Sequence, residues 1–137
     1  MKVRVTVISE VGGEIFENET IGEYDTQNGE HHLSYSDLSG NMITNNYLTI
    51  SPDCLHIRRE GGFEGEMLFD PQLDTVMKYR TIMLEHGFML HTYEYSLTEN
   101  ENSLTITVRY GLNDGKSEEI SNQQTITVKF TEEKKNG

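Results

Sequence analysis

The sequence predicts an all-β protein, a single up-and-down antiparallel barrel of eight to ten strands. Three observations carry that expectation. The chain of 137 residues has no alanine but 14 threonines and seven tyrosines. That inverts a helical composition, because alanine is the residue a helix accepts most readily while threonine and tyrosine fit a pleated surface. Turn signals then recur at strand-length intervals: Gly12-Gly13, Asn28-Gly29, Ser39-Gly40, Pro52-Asp53, Gly61-Gly62, Asp70-Pro71, His86-Gly87, Thr98 to Asn102, and Asp114-Gly115. Nine such breaks leave ten segments. Asn28-Gly29 and Asp114-Gly115 supply the two positive φ angles of a tight hairpin turn. Finally, a long antiparallel meander hides its edges most completely by closing on itself.

The length fits one domain, expected over 1–132, with the polar residues 133–137 as a frayed tail. Eleven Lys and Arg face 23 Asp and Glu, a net charge of −12. Such a field repels phosphate backbones, so nucleic acid is not an expected partner. No apolar run exceeds three residues, whereas a membrane span needs about 20 and a signal peptide a continuous apolar stretch. A cytoplasmic protein without a membrane span is therefore expected. Cys54 is the one cysteine, so no internal disulfide supports the fold. Leu, Ile, Val and Phe total 33 residues, above the fraction of about 20% below which a charged chain stays disordered. The core is lean but sufficient.

One segment has two readings. Asp70-Pro71 resembles a helix start, and Leu73, Val76, Met77 and Leu84 fall near helical spacing before Gly87. Against this, Met77, Tyr79, Thr81 and Met83 alternate as in a strand. Residues 72–86 are thus strand or helix, with strand the better fit to their β-branched and aromatic content.

Strand side chains alternate between faces, so charged positions assign the parity of each segment. Glu17, Glu19 and Glu23 place Phe16, Asn18, Thr20, Gly22 and Tyr24 inward. Glu64 and Glu66 place Met67 and Phe69 inward, and Lys78 and Arg80 do the same for Met77, Tyr79 and Met83. Arg59 follows Leu55 and Ile57 to the interior. Glu94 assigns Met89, His91, Tyr93, Tyr95 and Leu97 inward, and Met42, Thr44, Asn46, Leu48 and Ile50 join them. Every methionine after the first thus falls on the inward parity, and methionine adapts to irregular apolar volumes and ligands. Tyr24, Tyr35, Asn46, Arg59, Tyr79, His91 and Tyr93 add polar groups.

Several apparent motifs carry no chemistry. His31 and His32 are adjacent and point to opposite faces of a strand. Cys54 and His56 lack the second pair that a structural zinc requires. The glycine-rich stretch Arg58 to Gly65 is followed by a strand-like segment, not by the helix of a phosphate loop. Asn18-Glu19-Thr20 matches a glycosylation acceptor only by chance in a chain without an export signal. No metal site, no cofactor and no catalytic set is expected. His91, among tyrosines, is the nearest approach to an acid-base group, but no nucleophile or carboxylate is inferred beside it.

The segment Tyr79-Arg80-Thr81, the Gly87 turn, the stretch Phe88 to Thr92, and Leu104 to Tyr110 before a final strand resemble the YwiB-like family of bacterial proteins of unknown function. That resemblance implies a calycin-type β-barrel, similar in architecture to lipocalins and fatty-acid-binding proteins, in a bacterial cytosolic protein. It implies no activity and assigns no functional residue.

The function expected from these residues is binding of a small apolar or amphipathic ligand, anionic in one form, inside the barrel. Arg59 would meet its charged end, Tyr79, His91 and Tyr93 would hydrogen-bond it, and Met67, Met77 and Met89 would pack against it. The alternative is a filled barrel that acts through its acidic surface as a protein-interaction module, as a monomer or a small homo-oligomer.

Overall fold

Breaker-bounded alternation becomes strand throughout. The computed structural model has β1 (Lys2–Val11), β2 (Glu14–Gln27), β3 (Glu30–Ser39), β4 (Met42–Ile50) and β5 (Leu55–Gly61), followed by β6 (Glu64–Phe69), β7 (Thr75–Arg80), β8 (Glu85–Glu99), β9 (Ser103–Asn113) and β10 (Ile120–Phe130). It describes all residues except 40, 63, 81–84, 114–119 and 131–137, and side chains except also those of 39, 79, 85, 86, 120 and 121. The expected tail, 133–137, lies outside the described residues, as do Met83 and the Asp114-Gly115 turn. Among the described residues there is no helix, and the ten strands form a closed antiparallel barrel in which each pairs with its neighbours in sequence. The β1–β10 ladder, from Val3 opposite Phe130 to Val11 opposite Asn122, closes it. Of the two readings of residues 72–86, strand holds for Thr75–Arg80.

Asn28 (φ 53°) and Gly29 (φ 82°) form the turn between β2 and β3, as the two-residue hairpin requires. The inward rows build a hydrophobic core. Val3, Val5, Ile50, Leu55, Phe69, Leu90, Ile106, Val108 and Val128 are completely buried, each contributing about 1.5–3 kcal/mol by leaving water. Phe69 meets Tyr110 edge-on, with ring centroids 4.7 Å apart. Met67 and Met77 belong to this core, as their parity predicts.

The expected inward placement of Met89, His91 and Tyr93 does not hold. Met89 is 47% and Tyr93 39% exposed, whereas Leu90 and Thr92 are buried. The cause is a β-bulge: Thr92 pairs with Tyr110 and Glu94 with Arg109, leaving Tyr93 as the extra residue. One inserted residue exchanges the two faces of a strand. Before the bulge the even-numbered residues point inward; after it Tyr95 and Leu97 pack against the core. Met42, at the start of β4, is exposed as well, because it lies at the rim where the wall ends.

A second irregularity opens the wall. β2 pairs with β1 from Glu14 to Glu23, but with β3 only through Glu23–Gln27 against Glu30–Ser34. Beyond that point the strands part, which exposes Phe16 despite its inward parity. Gly22 sits where they separate. A Cβ there would lie 2.6 Å from the Ser34 carbonyl oxygen and 3.3 Å from Tyr35 Cβ, so only glycine allows this approach. Replacement Gly22→Ala is expected to lower stability by about 1–3 kcal/mol, the range for overpacking. Urea unfolding checks this, and an unchanged midpoint would show that the two strands do not hold this approach.

Candidate functional site

The polarity of the interior changes along the barrel axis. Where β2 and β3 pair, the inward residues include Leu33, Leu48 and Ile50, with Tyr24 and His31 at the rim. Toward the end where these strands part, the same inward rows continue as Ser9 on β1, Tyr35 and Asp37 on β3, Thr44 and Asn46 on β4, Arg59 on β5, and Asn122 and Gln124 on β10. A cleft of about 180 Å³ opens there, lined by Val7, Ser9, Phe16, Glu17, Asn18, Tyr35, Asp37, Arg59 and Gln124. Apart from Glu17, which reaches the cleft from the outward row of β2, each residue arrives by strand alternation. Ser9 follows Val5 and Val7, and Gln124 precedes Ile126 and Val128.

Asn46 stands behind the cleft and holds two of the residues that line it. Its Nδ2 donates to Asp37 Oδ2 at 3.1 Å and to the Tyr35 carbonyl oxygen at 3.3 Å. Two acceptors fix which end of the amide is nitrogen. Its Oδ1 is buried without a hydrogen-bond partner among the described residues, as is Thr92 Oγ1. Such atoms are uncommon in folded proteins because leaving them unsatisfied costs about 1–3 kcal/mol. Arg59 is opposite Asn46 in one ladder and Gly65 in the next, and Gly65 in turn is opposite Tyr79. Arg59, Gly65 and Tyr79 thus form one cross-strand row; the Tyr79 side chain lies outside the described residues.

The charge of Arg59 reaches two phenols. Burial pushes the Tyr35 hydroxyl up to about 12, with Asp37 adding to the rise and Arg59 opposing it. Burial likewise raises Tyr110, again opposed by Arg59. Both hydroxyls therefore remain protonated at neutral pH and able to donate.

The other candidate residues are elsewhere. His91 Nδ1 lies 2.6 Å from Asp74 Oδ1 on the outer surface, and its ring meets Tyr93 edge-on at 4.5 Å. Arg109 covers the Tyr93 ring at 5.0 Å. These contacts fasten an outer face and do not touch the cleft. Met67 and Met77 are packed within the core. A larger concavity of about 680 Å³ lies outside β2–β5, lined in part by His32, Tyr47, His56 and Arg58, with the Arg58 guanidinium 4.4 Å over the Tyr47 ring. It is an open saddle of the outer sheet surface, and its two histidines face Glu30 and Glu66. Among the described residues no three His, Cys, Asp or Glu side chains are grouped to hold a metal, and no helix is long and apolar enough to cross a membrane.

Sequence reasoning passed over Asp37, Ser9 and Gln124. The signal was present, since continuing the alternation from Leu33 and Tyr35 reaches Asp37. A rule that sends every charge outward conceals it.

Comparison with known proteins follows the fold. The family model for a domain of unknown function, DUF1934, matches residues 1–133. The chain belongs to the DUF1934 family. In keeping with the resemblance read from the sequence, this DUF1934 barrel is similar to the crystal structure of the ywiB protein from Bacillus subtilis, with a TM-score of 0.80 and 21% identity over 94% of this chain and 89% of that one. At that identity the likeness shows the fold, a closed barrel consistent with the calycin type. No curated protein matches this DUF1934 chain.

The raised Tyr35 hydroxyl has a consequence for stability. In the unfolded chain it ionises near its ordinary 10.0, and in the fold near 12. Its contribution is therefore complete below pH 10 and declines as the pH rises toward 12, by about 1.4 kcal/mol per pH unit in this window. Tyr35→Phe is expected to remove one proton's worth of this slope. Urea unfolding at a series of alkaline pH values measures it; an unchanged slope would contradict the burial of the hydroxyl.

Proposed function

We propose that this protein is a small-molecule binding module that takes a short amphipathic ligand with an anionic end in the cleft where β2 and β3 part. The observation that carries the reading is the inward Arg59 at the wall of a cleft that Tyr35, Ser9 and Gln124 line with it. Guanidinium pairs strongly with carboxylate or phosphate through paired charge-assisted hydrogen bonds. The protonated Tyr35 hydroxyl would be a second donor, and Val7 and Phe16 would receive the apolar part. Met67 and Met77 are proposed to form an adaptable floor beneath it.

The hydrophobic core supports a ligand held at the mouth over one threaded through the barrel. A cleft of about 180 Å³ is smaller than the roughly 300–1,000 Å³ of sites for drug-sized ligands. The ligand is accordingly short. Outward placement of His91 and Tyr93 removes the pair that an acid-base reading would use, which leaves binding better supported than catalysis. A surface-interaction reading is favoured by the apolar side chains flanking the parted strands.

Native mass spectrometry of gently purified protein, followed by NMR titration with straight-chain carboxylates of increasing length, tests the proposal. Short members are expected to shift the amides around Arg59, Tyr35 and Asn46. Arg59→Leu should weaken binding by about tenfold or more, equivalent to about 1.4 kcal/mol, while His91→Ala should leave it unchanged. No co-purifying mass together with no carboxylate-dependent shift would overturn the reading.

A further inference from the structure

We infer that the free edge of β2, from Glu14 to Ile21, is a docking edge for an extended, basic segment of another protein, which adds to the barrel as a strand. Along these residues β2 is hydrogen-bonded to β1 on one side, while its ladder with β3 ends at Glu23. The facing part of β3, Tyr35–Ser39, pairs only with β4. Alternate N–H and C=O groups on such an edge point away from the sheet and accept another strand directly. Soluble proteins guard long edges with proline, lysine or a bulge. The stretch Glu14-Ile15-Phe16-Glu17-Asn18-Glu19-Thr20-Ile21-Gly22 has neither proline nor lysine, and its pairing with β1 runs without a register shift.

Apolar side chains stand on both lips of the opening. Ile15 is 69%, Phe16 55% and Ile21 52% exposed, and across the gap Leu38 is 70% and Ile43 60% exposed, these two directly opposite each other in the β3–β4 ladder. Together they give an arriving strand apolar surface to cover, in addition to backbone partners.

Charge identifies the occupant. The outward row of β2 reads Ile15, Glu17, Glu19, Ile21, so the complementary row is apolar at its ends and basic at its centre. A second copy of this chain fits less well. Antiparallel self-pairing centred on Asn18 would match Ile15 with Ile21 but would set Glu17 against Glu19 twice. Like charges directly opposite destabilise a strand pair, and each copy already carries a net charge of −12. Glu19 has a cation within the chain, Arg4 at 3.3 Å, yet both groups are about half exposed, so a competing lysine has access.

The experiment uses the intact protein and a synthetic strand-length peptide that alternates isoleucine and lysine on one face with threonine on the other. Hydrogen exchange followed by NMR is expected to show new protection at backbone amides within Glu14–Ile21. Methylating alternate backbone nitrogens of the peptide along its pairing edge should weaken binding by about tenfold or more; Glu17→Lys with Glu19→Lys should transfer the preference to a peptide carrying glutamate in place of lysine. Peptide binding is read as amide protection along β2 and carboxylate binding as shifts around Arg59, which separates this edge from the carboxylate site proposed above. Equal affinity for the methylated peptide would reduce the contact to surface electrostatics and overturn the inference. So would absence of binding, or a dimer at neutral pH that protects the same amides without peptide, which would make a second copy the occupant.

Discussion

Closure through the β1–β10 ladder is the constraint on which the rest of the structure depends. Among the described residues no helix covers either face of the sheet, so each strand must find its second row of backbone partners in another strand. Pairing the first strand with the last provides this and defines an inside. Once it exists, period-two alternation sends Val3, Val5, Ile126 and Val128 into one volume, and the hydrophobic core follows from that volume. The same constraint makes the parting of β2 and β3 consequential, because along Glu14–Ile21 the ladder with β3 is missing.

Polarity inside the barrel tracks this opening. A guanidinium or carboxylate buried deep in an apolar core must be paired at high desolvation cost, whereas beside a break in the wall it retains part of its hydration. Arg59 and Asp37 sit on inward rows at that break, and Asn46 ties Asp37 to the Tyr35 backbone. At the other end the interior closes with aromatic contacts: Tyr24 lies against Phe130 at 5.0 Å between centroids and meets His31 Nδ1 through its hydroxyl at 2.6 Å. Tyr95 donates to the Ser51 carbonyl oxygen at 2.7 Å. Phenols can span apolar packing and a polar rim in one side chain. The fold therefore has one end sealed by tyrosines and one end lined by groups able to hold a polar ligand.

How far the sequence reveals this depends on whether the determinant is local. Turn chemistry is local, and Asn28-Gly29 forms the expected hairpin. Parity is local within an uninterrupted strand, so Met67, Met77, Tyr35, Asn46 and Arg59 are legible as inward residues from their neighbours alone. A bulge breaks that inheritance without a compositional mark. Thr92, Tyr93 and Glu94 contain no glycine, and counting alternate residues across them assigns Met89, His91 and Tyr93 to the wrong face. The parting of β2 and β3 is harder still to read, since pairing is a property of two strands. Phe16 has inward parity, yet its exposure depends on where β3 goes. Gly22 is the one local trace, and its meaning emerges only when the Ser34 carbonyl is seen to approach it.

A fold shared at 21% identity over most of both chains must be maintained by pattern: alternation, turn residues and closure, each satisfied by many sequences. Such a pattern determines where inward rows run but not which side chains end them. Two barrels can therefore share every strand and differ in what their mouths hold. In this chain the rows end in Arg59, Asp37, Asn46 and Tyr35, and the unpaired edge carries Ile15, Glu17, Glu19 and Ile21. Substituting Arg59, Asp37 or the residues of the edge would leave closure and core almost untouched, because none of them belongs to the hydrophobic core, whereas Asn46 is buried and Tyr35 packs against that core. Function in this chain therefore resides in these positions and not in the barrel that carries them.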